Sequence, residues 1–295
     1  MGIAYALLAM LCFATNIVIT RFAVARLPVE AGFFVVLATN VLFPAALFAA
    51  ELGAREAPYA WHWKGAGLFA IGGVIGTFLG RRFLFDTVKL LGPSRASVFH
   101  STAPAFALIG AWLLAGEILG AYEIALMLVV WAGLWLTQPR AGSRQALAPE
   151  LLRKGFAAGL VTVAGFGFGN VLRGLAMRVW EEAALGTVIA SMAALACQFA
   201  VTRNWEKIGA QLRGAERNAI WLYIVCGVFT SLGSIFISLA MTRIEIALAV
   251  LVVHTTPLVI FPVSVFLLKN REELTPRTVV GALVVLAGIA FLALR

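Results

Sequence analysis

Apolar windows of about 20 residues follow one another along this chain, separated only by short polar interruptions. Each window is long enough to cross the hydrocarbon core of a bilayer as an α-helix, the form in which a segment satisfies its own backbone polar groups. The pattern predicts spans near 2–20, 31–50, 65–86, 94–115, 120–138, 155–177, 183–202, 218–241, 246–268 and 277–294. No connection between them is long enough for a soluble domain, so any activity has to reside within the bilayer. The expected fold class is an all-α integral membrane protein of ten transmembrane helices.

The pattern also repeats. Residues 97–136 run from a helix holding Ser97, His100, Ser101, Thr102 and Pro104, through Gly116-Glu117, to a helix holding Trp131 and Gly133. Residues 250–292 do the same, with His254, Thr255, Thr256 and Pro257, then Glu272-Glu273, then Leu286 and Gly288. Upstream, Phe13-Ala14-Thr15-Asn16 parallels Gly167-Phe168-Gly169-Asn170. The expected organisation is a first five-helix repeat over 1–138, a basic linker over 139–154, and a second five-helix repeat over 155–295. Because five is odd, the two repeats must lie in opposite orientations. Inverted repeats offer two equivalent shapes, one open to each side, and so a route to alternating access.

Composition sharpens this picture. Hydrophobic residues make up 62% of the chain and charged ones 13%, against about 25% charged in soluble domains. The first span lacks a basic leader and a small-residue cleavage pattern, and is expected to be a membrane helix rather than a signal peptide. Cys12, Cys197 and Cys226 stand alone in separate spans and propose neither a disulfide framework nor a metal cluster. A net charge of +9 could mean nucleic acid, but its placement excludes that partner. Most basic residues sit in the connections after spans 1, 3, 5, 7 and 9, as in Arg140/Arg144/Arg153/Lys154 and Arg203/Lys207/Arg213/Arg217. The positive-inside rule puts those connections in the cytoplasm and both termini outside. Trp61, Trp63, Trp180, Trp205 and Trp221 sit at span ends as an interfacial belt.

The chain resembles the drug/metabolite transporter superfamily, in particular its EamA-type carriers of paired five-helix repeats. The residues that carry the likeness are Pro104, Gly116-Glu117 and Gly133 in one half, with Pro257, Glu272, Gly281 and Gly288 in the other. The chain departs from that pattern at Cys12-Phe13, where a Trp-Gly pair is common, and at Thr39-Asn40, where an Arg is frequent. The resemblance implies a carrier without ATP or other cofactor, commonly an exporter of amino acids or other small metabolites. It also implies a central cavity shared by spans 1, 3, 4, 6, 8 and 9, with spans 5 and 10 at the periphery.

Polar groups inside spans are costly and usually face a partner helix or a wet cavity. Asn16, Arg82, His100, Thr102, Asn170, Ser234 and His254 are the expected substrate-binding residues. Each proline after the histidine clusters should kink its helix and free backbone carbonyls near mid-membrane. Arg82 and Asp86 are four apart and could pair; Arg81 and Arg82 could instead extend to the headgroups. Asp86 is the candidate for a coupling proton. The stripes Thr187/Ser191/Gln198 and Ser231/Ser234/Ser238 suit close packing or a hydrated path. Gly72/Gly76/Gly80 and Gly165/Gly169 are small-residue packing faces.

The leading function is export of amino acids, aromatic or large neutral ones foremost. The alternative is a carrier of quaternary amines, drug cations or phosphorylated metabolites. A membrane-embedded enzyme is the remote third class. No paired aspartates, His-Glu-x-x-His or Gly-x-Ser-x-Gly pattern supports it, so no catalytic or metal-ligating residue is assigned. The expected partners are a small-molecule substrate and the lipid bilayer. The protein is expected to be a monomer, multi-pass in a bacterial-type inner (plasma) membrane. A reporter active only in the periplasm, fused after Arg295, should be active, and the same reporter in the 139–154 linker should be silent; the reverse result inverts the topology.

Overall fold

A computed structural model of the chain describes residues 1–55, 60–91, 96, 99–100, 102–118, 120–137, 149–256, 258–260 and 276–293. Ser97, Ser101, Pro257, Glu272, Glu273 and most of the 139–154 linker lie outside the described residues. Within them the chain is helical throughout: α1 (Gly2–Val24), α2 (Val29–Ala54), α3 (Trp63–Gly72), a π-helical stretch (Gly73–Gly80), α4 (Arg81–Leu91), α5 (Ala103–Ala115), α6 (Ala121–Thr137), α7 (Pro149–Val179), α8 (Ala183–Val201), α9 (Trp205–Arg213), α10 (Arg217–Met241), α11 (Ile246–Val253) and α12 (Pro276–Ala293). Six helical segments are long and apolar enough to cross a membrane: 2–24, 29–54, 63–91, 149–179, 183–201 and 217–241. Shorter apolar helices occupy 103–115, 124–136 and 279–288, and another starts at Ile246.

These helices gather into two compact units, and each unit draws on both halves of the sequence. The first comprises Met1–Val74 and Leu172–Arg243. In it α1 packs along α10, and α2 lies between α10 and α8. The packing is dictated by small residues. Gly32 receives the Tyr223 ring, Gly186 receives Phe69, and Gly227 lies against Thr39, so a Cβ at any of them would collide with its neighbour. The Tyr223 hydroxyl donates to the Leu27 carbonyl (3.0 Å), tying α10 to the end of α1. The short helix α9 rests Ile208 on a cluster with Phe34, Ala219 and Tyr223, and Trp205 stacks on Phe199 at 4.8 Å. Trp180 is buried rather than at the interface, packed with Phe69 and Met177 and edge-on to Trp61 at 5.2 Å. Its indole fills the space left by Gly65, which is why it turns inward.

The second unit comprises Ile75–Val171 and Ile244–Arg295. Here α6 packs along α12, and α11 packs on α5. The repeat glycines make the first of these seams: Gly133 sits against Val285 and the Gly281 carbonyl, and Gly288 against Val130. The outer faces of the same two helices leave Leu128, Trp135, Leu283 and Leu286 more than half exposed. Gly76 and Gly80 meet Gly165 and Gly169 backbone to backbone, with separations of 3.0–3.2 Å from a Cβ built on one to the Cα of the other. Small-xxx-small faces in a bilayer work this way, gaining dispersion contacts where no hydrophobic effect operates between helices.

One capping interaction secures the second unit. The chain leaves α5 through Gly116 in the left-handed conformation (φ 65°), which turns Glu117 inward. The Glu117 carboxylate accepts hydrogen bonds from the Ile246 N–H (2.8 Å) and the Ala247 N–H (3.4 Å), the first amides of α11. Those donors have no intrahelical partner, and an anion there also meets the positive end of the helix dipole. Replacing Glu117 by Ala should lower stability by about 1–2 kcal/mol, read as a lower melting temperature in detergent. Glu117→Gln, which keeps an acceptor, should lose less.

Candidate functional site

The most polar turn of the second unit grows from two broken helices. Sequence reasoning expected Pro104 to kink a continuous span; instead α5 begins at Ala103, with Pro104 in its first turn. Proline is tolerated there because that amide would lack a helical partner in any case. The Thr102 hydroxyl donates to the Phe99 carbonyl three residues back (2.7 Å). The matching place in the other repeat is built alike. There α11 stops at Val253, and His254, Thr255 and Thr256 form a turn, with the Thr255 and Thr256 hydroxyls donating to the Val252 and Val253 carbonyls, both at 2.6 Å. In both halves a threonine hydroxyl takes up a carbonyl next to the break.

These two turns bring His100 and His254 side by side, with ring centroids 5.1 Å apart and planes inclined by 48°. The edge of Phe166, from α7, lies 5.2 Å from the His100 ring at 73°. His254 Nδ1 lies 2.8 Å from the Val250 carbonyl. A carbonyl only accepts, so in the neutral ring Nδ1 carries the hydrogen and Nε2 is left as an acceptor. His100 Nδ1 is buried and makes no hydrogen bond among the described residues. Buried polar atoms without partners are rare and call for an explanation. One turn beyond Phe166, Asn170 donates to the Phe166 carbonyl (3.0 Å), leaving its own carbonyl oxygen to other partners.

Not every expected site residue joins this group. Arg82 is exposed and Asp86 half-buried on α4, and among the described residues they make no ion pair with each other.

Asn16 and Ser234 belong to the first unit. Asn16 accepts from Thr20 (3.4 Å), whose hydroxyl also meets the Cys226 thiol (3.4 Å). The Ser234 carbonyl accepts from Ser238 (2.7 Å). A residue with no assigned role, Asn40, is buried on α2. Oriented by its neighbours, its amide nitrogen donates to the Gly227 carbonyl (2.8 Å) and meets Ser231 Oγ (3.1 Å). The serine stripe on α10 therefore serves, in part, to join α10 to α2. Its signal in the sequence was Asn40 on one apolar helix and a serine stripe on another, and pairing them required the packing.

The sequence model of the EamA-like transporter family matches residues 1–138 and again residues 153–294. The chain belongs to the EamA-like transporter family. A solved structure titled "Crystal structure of protein" superposes with a TM-score of 0.73 at 20% identity, covering 99% of this chain and 98% of that one. At that identity the likeness speaks for the fold. No curated protein matches the chain. As an EamA-like protein it is a multi-pass membrane transporter of small molecules, not an enzyme. Its partners are a small-molecule substrate and the lipid bilayer.

The Asn40 joint is structural. Asn40→Leu keeps the branched shape but strands Ser231 and the Gly227 carbonyl, and should cost about 1–3 kcal/mol of stability. The check is a thiol-reactive dye assay on Cys226, buried in the same packed region, whose labelling temperature should fall.

Proposed function

We propose that this EamA-like protein carries amino acids, large neutral and aromatic ones foremost, outward across a bacterial inner membrane by alternating access. The observation that carries the reading is the meeting of His100 and His254, equivalent positions of the two sequence repeats, with one ring nitrogen left unbonded among the described residues. A pair of neutral donors and acceptors beside the Phe166 edge offers hydrogen bonds and an aromatic wall together, which is what a zwitterion with a bulky side chain needs. Asn170, one turn along α7 from Phe166, adds an amide to the same helix face. On this reading His100, His254, Thr102, Asn170, Asn16 and Ser234 are the substrate-contacting residues. Arg82 stands at the cytoplasmic mouth. Asp86 is the coupling candidate, because it is the acid set furthest into a span. The protein acts as a monomer, with both termini on the non-cytoplasmic side.

Counterflow in proteoliposomes tests this directly. Preloading with unlabelled phenylalanine, tryptophan or leucine should accelerate uptake of labelled phenylalanine. His100→Phe and His254→Phe, which keep an aromatic ring and remove its nitrogens, should each slow that uptake at least tenfold, about 1.4 kcal/mol or more in transition-state terms, with melting temperatures near wild type. If Asp86 carries the proton, Asp86→Asn should abolish any dependence on a pH gradient and leave counterflow running. Silence across the whole amino-acid panel from folded protein transfers the assignment to quaternary amines, drug cations or phosphorylated metabolites.

A further inference from the structure

Arg173 lies inside α7, six residues before the helix ends at Val179. At 1.5 Å per residue this is about 9 Å in from that end. The direction in which it points follows from the residues around it. On a helix of 3.6 residues per turn, Gly169, Ala176 and Met177 bracket the Arg173 direction within roughly 60°. All three are buried, and Ala176 and Met177 are fully enclosed with Phe69, Ala66 and Ala183. Arg173 therefore shares the packed side of α7, while Arg178 and Val179 on the next turn are exposed. A side chain that merely extends to the headgroups belongs on the lipid face.

What Arg173 lacks is a counter-ion. Among the described residues it forms no ion pair and no hydrogen bond. Arg55, in the same unit, shows what an arginine takes when an acid is available: both of its terminal nitrogens donate to the Glu182 carboxylate, at 2.6 and 2.8 Å. The remaining acids of that unit sit at helix ends or in connections, as Glu30, Glu51, Glu181, Glu206 and Glu216 do. A guanidinium stays charged near neutral pH, and holding one inside a membrane protein without an anion is expensive.

We infer that Arg173 is an anion-recognition residue that binds the carboxylate of the transported molecule, so that the substrate class is restricted to organic anions and zwitterions. This deepens the amino-acid reading and rests on it only for the word amino. Its five donors in a planar fork match a carboxylate two bonds at a time. The cost of the bare cation in the empty carrier is then recovered on binding. A substrate with a protonated amine and no acid gains nothing there and meets a like charge.

The experiment measures binding to the purified full-length protein of four probes: L-phenylalanine, 3-phenylpropanoate, phenethylamine and inorganic phosphate. Wild type should bind phenylalanine and 3-phenylpropanoate at least tenfold more tightly than phenethylamine. Arg173→Gln should erase that preference by weakening the two carboxylates tenfold or more, with phenethylamine unchanged or improved. Arg173→Lys should keep part of the preference, because it keeps the charge and loses the fork. Should Arg173→Gln not fold, the Lys variant carries the test, with a selective loss of carboxylate affinity as the expected result. Binding of 3-phenylpropanoate or phosphate through Arg173 without binding of phenylalanine would sink the amino-acid reading and leave this inference standing. An intact acid preference in Arg173→Gln overturns it, as does a panel in which no anion binds in an Arg173-dependent way.

Discussion

Inside hydrocarbon a backbone N–H or C=O has no water to turn to, and each one left unpaired costs several kcal/mol. Two helices of this protein nevertheless stop near mid-span, before Ala103 and after Val253. Side chains add to the backbone's bonds at these breaks. Thr102, Thr255 and Thr256 return their hydroxyls to carbonyls three residues back, and Glu117 receives the leading amides of α11. The histidine pair sits beside these two turns. An unbroken helix would have kept both rings on its own cylinder, with Nδ1 and Nε2 aimed by helical rotamers alone.

The second dependence is on glycine. Where α7 meets the π-helical stretch, the backbones of Gly76, Gly80, Gly165 and Gly169 touch with no side chain between them. A π turn widens the helix by one residue and weakens its hydrogen-bond register, a form that occurs mostly as short local insertions at functional sites. Here it occupies Gly73–Gly80, the stretch in which the chain leaves the first compact unit and enters the second. Gly73 itself has the Ala190 backbone where a Cβ would be. Close approach and an irregular helix thus coincide in one segment, the glycines permitting the approach.

Bond accounting separates structure from function more clearly than residue type does. Asn40 and Ser231 are as polar as Asn170 and His100, yet they complete each other across a helix seam. Asn16, Thr20 and Cys226 form a similar closed set. His100 Nδ1, Gln211 Oε1 and Arg173 are among the groups whose bonds are not completed among the described residues.

The sequence alone determined that the chain is helical and membrane-embedded, because runs of apolar residues at bilayer length leave the backbone no other way to satisfy itself. It also determined the repeat, since the His/Thr/Pro cluster, the acid and the glycine helix recur in order in both halves, and with these the family. It marked His100, His254, Thr102 and Asn170 as polar residues needing partners, but it carried no information on which partners they found. That choice depends on side-chain direction and on which helices meet, and both are set by packing across segments far apart in the chain. So Glu117 read as a loop acid until α11 was seen to start at its carboxylate, and Pro104 read as a kink until α5 was seen to begin at Ala103. Tertiary structure decided which polar groups are spent and which remain, because hydrogen bonds close only over a few ångströms and sequence spacing does not measure that distance.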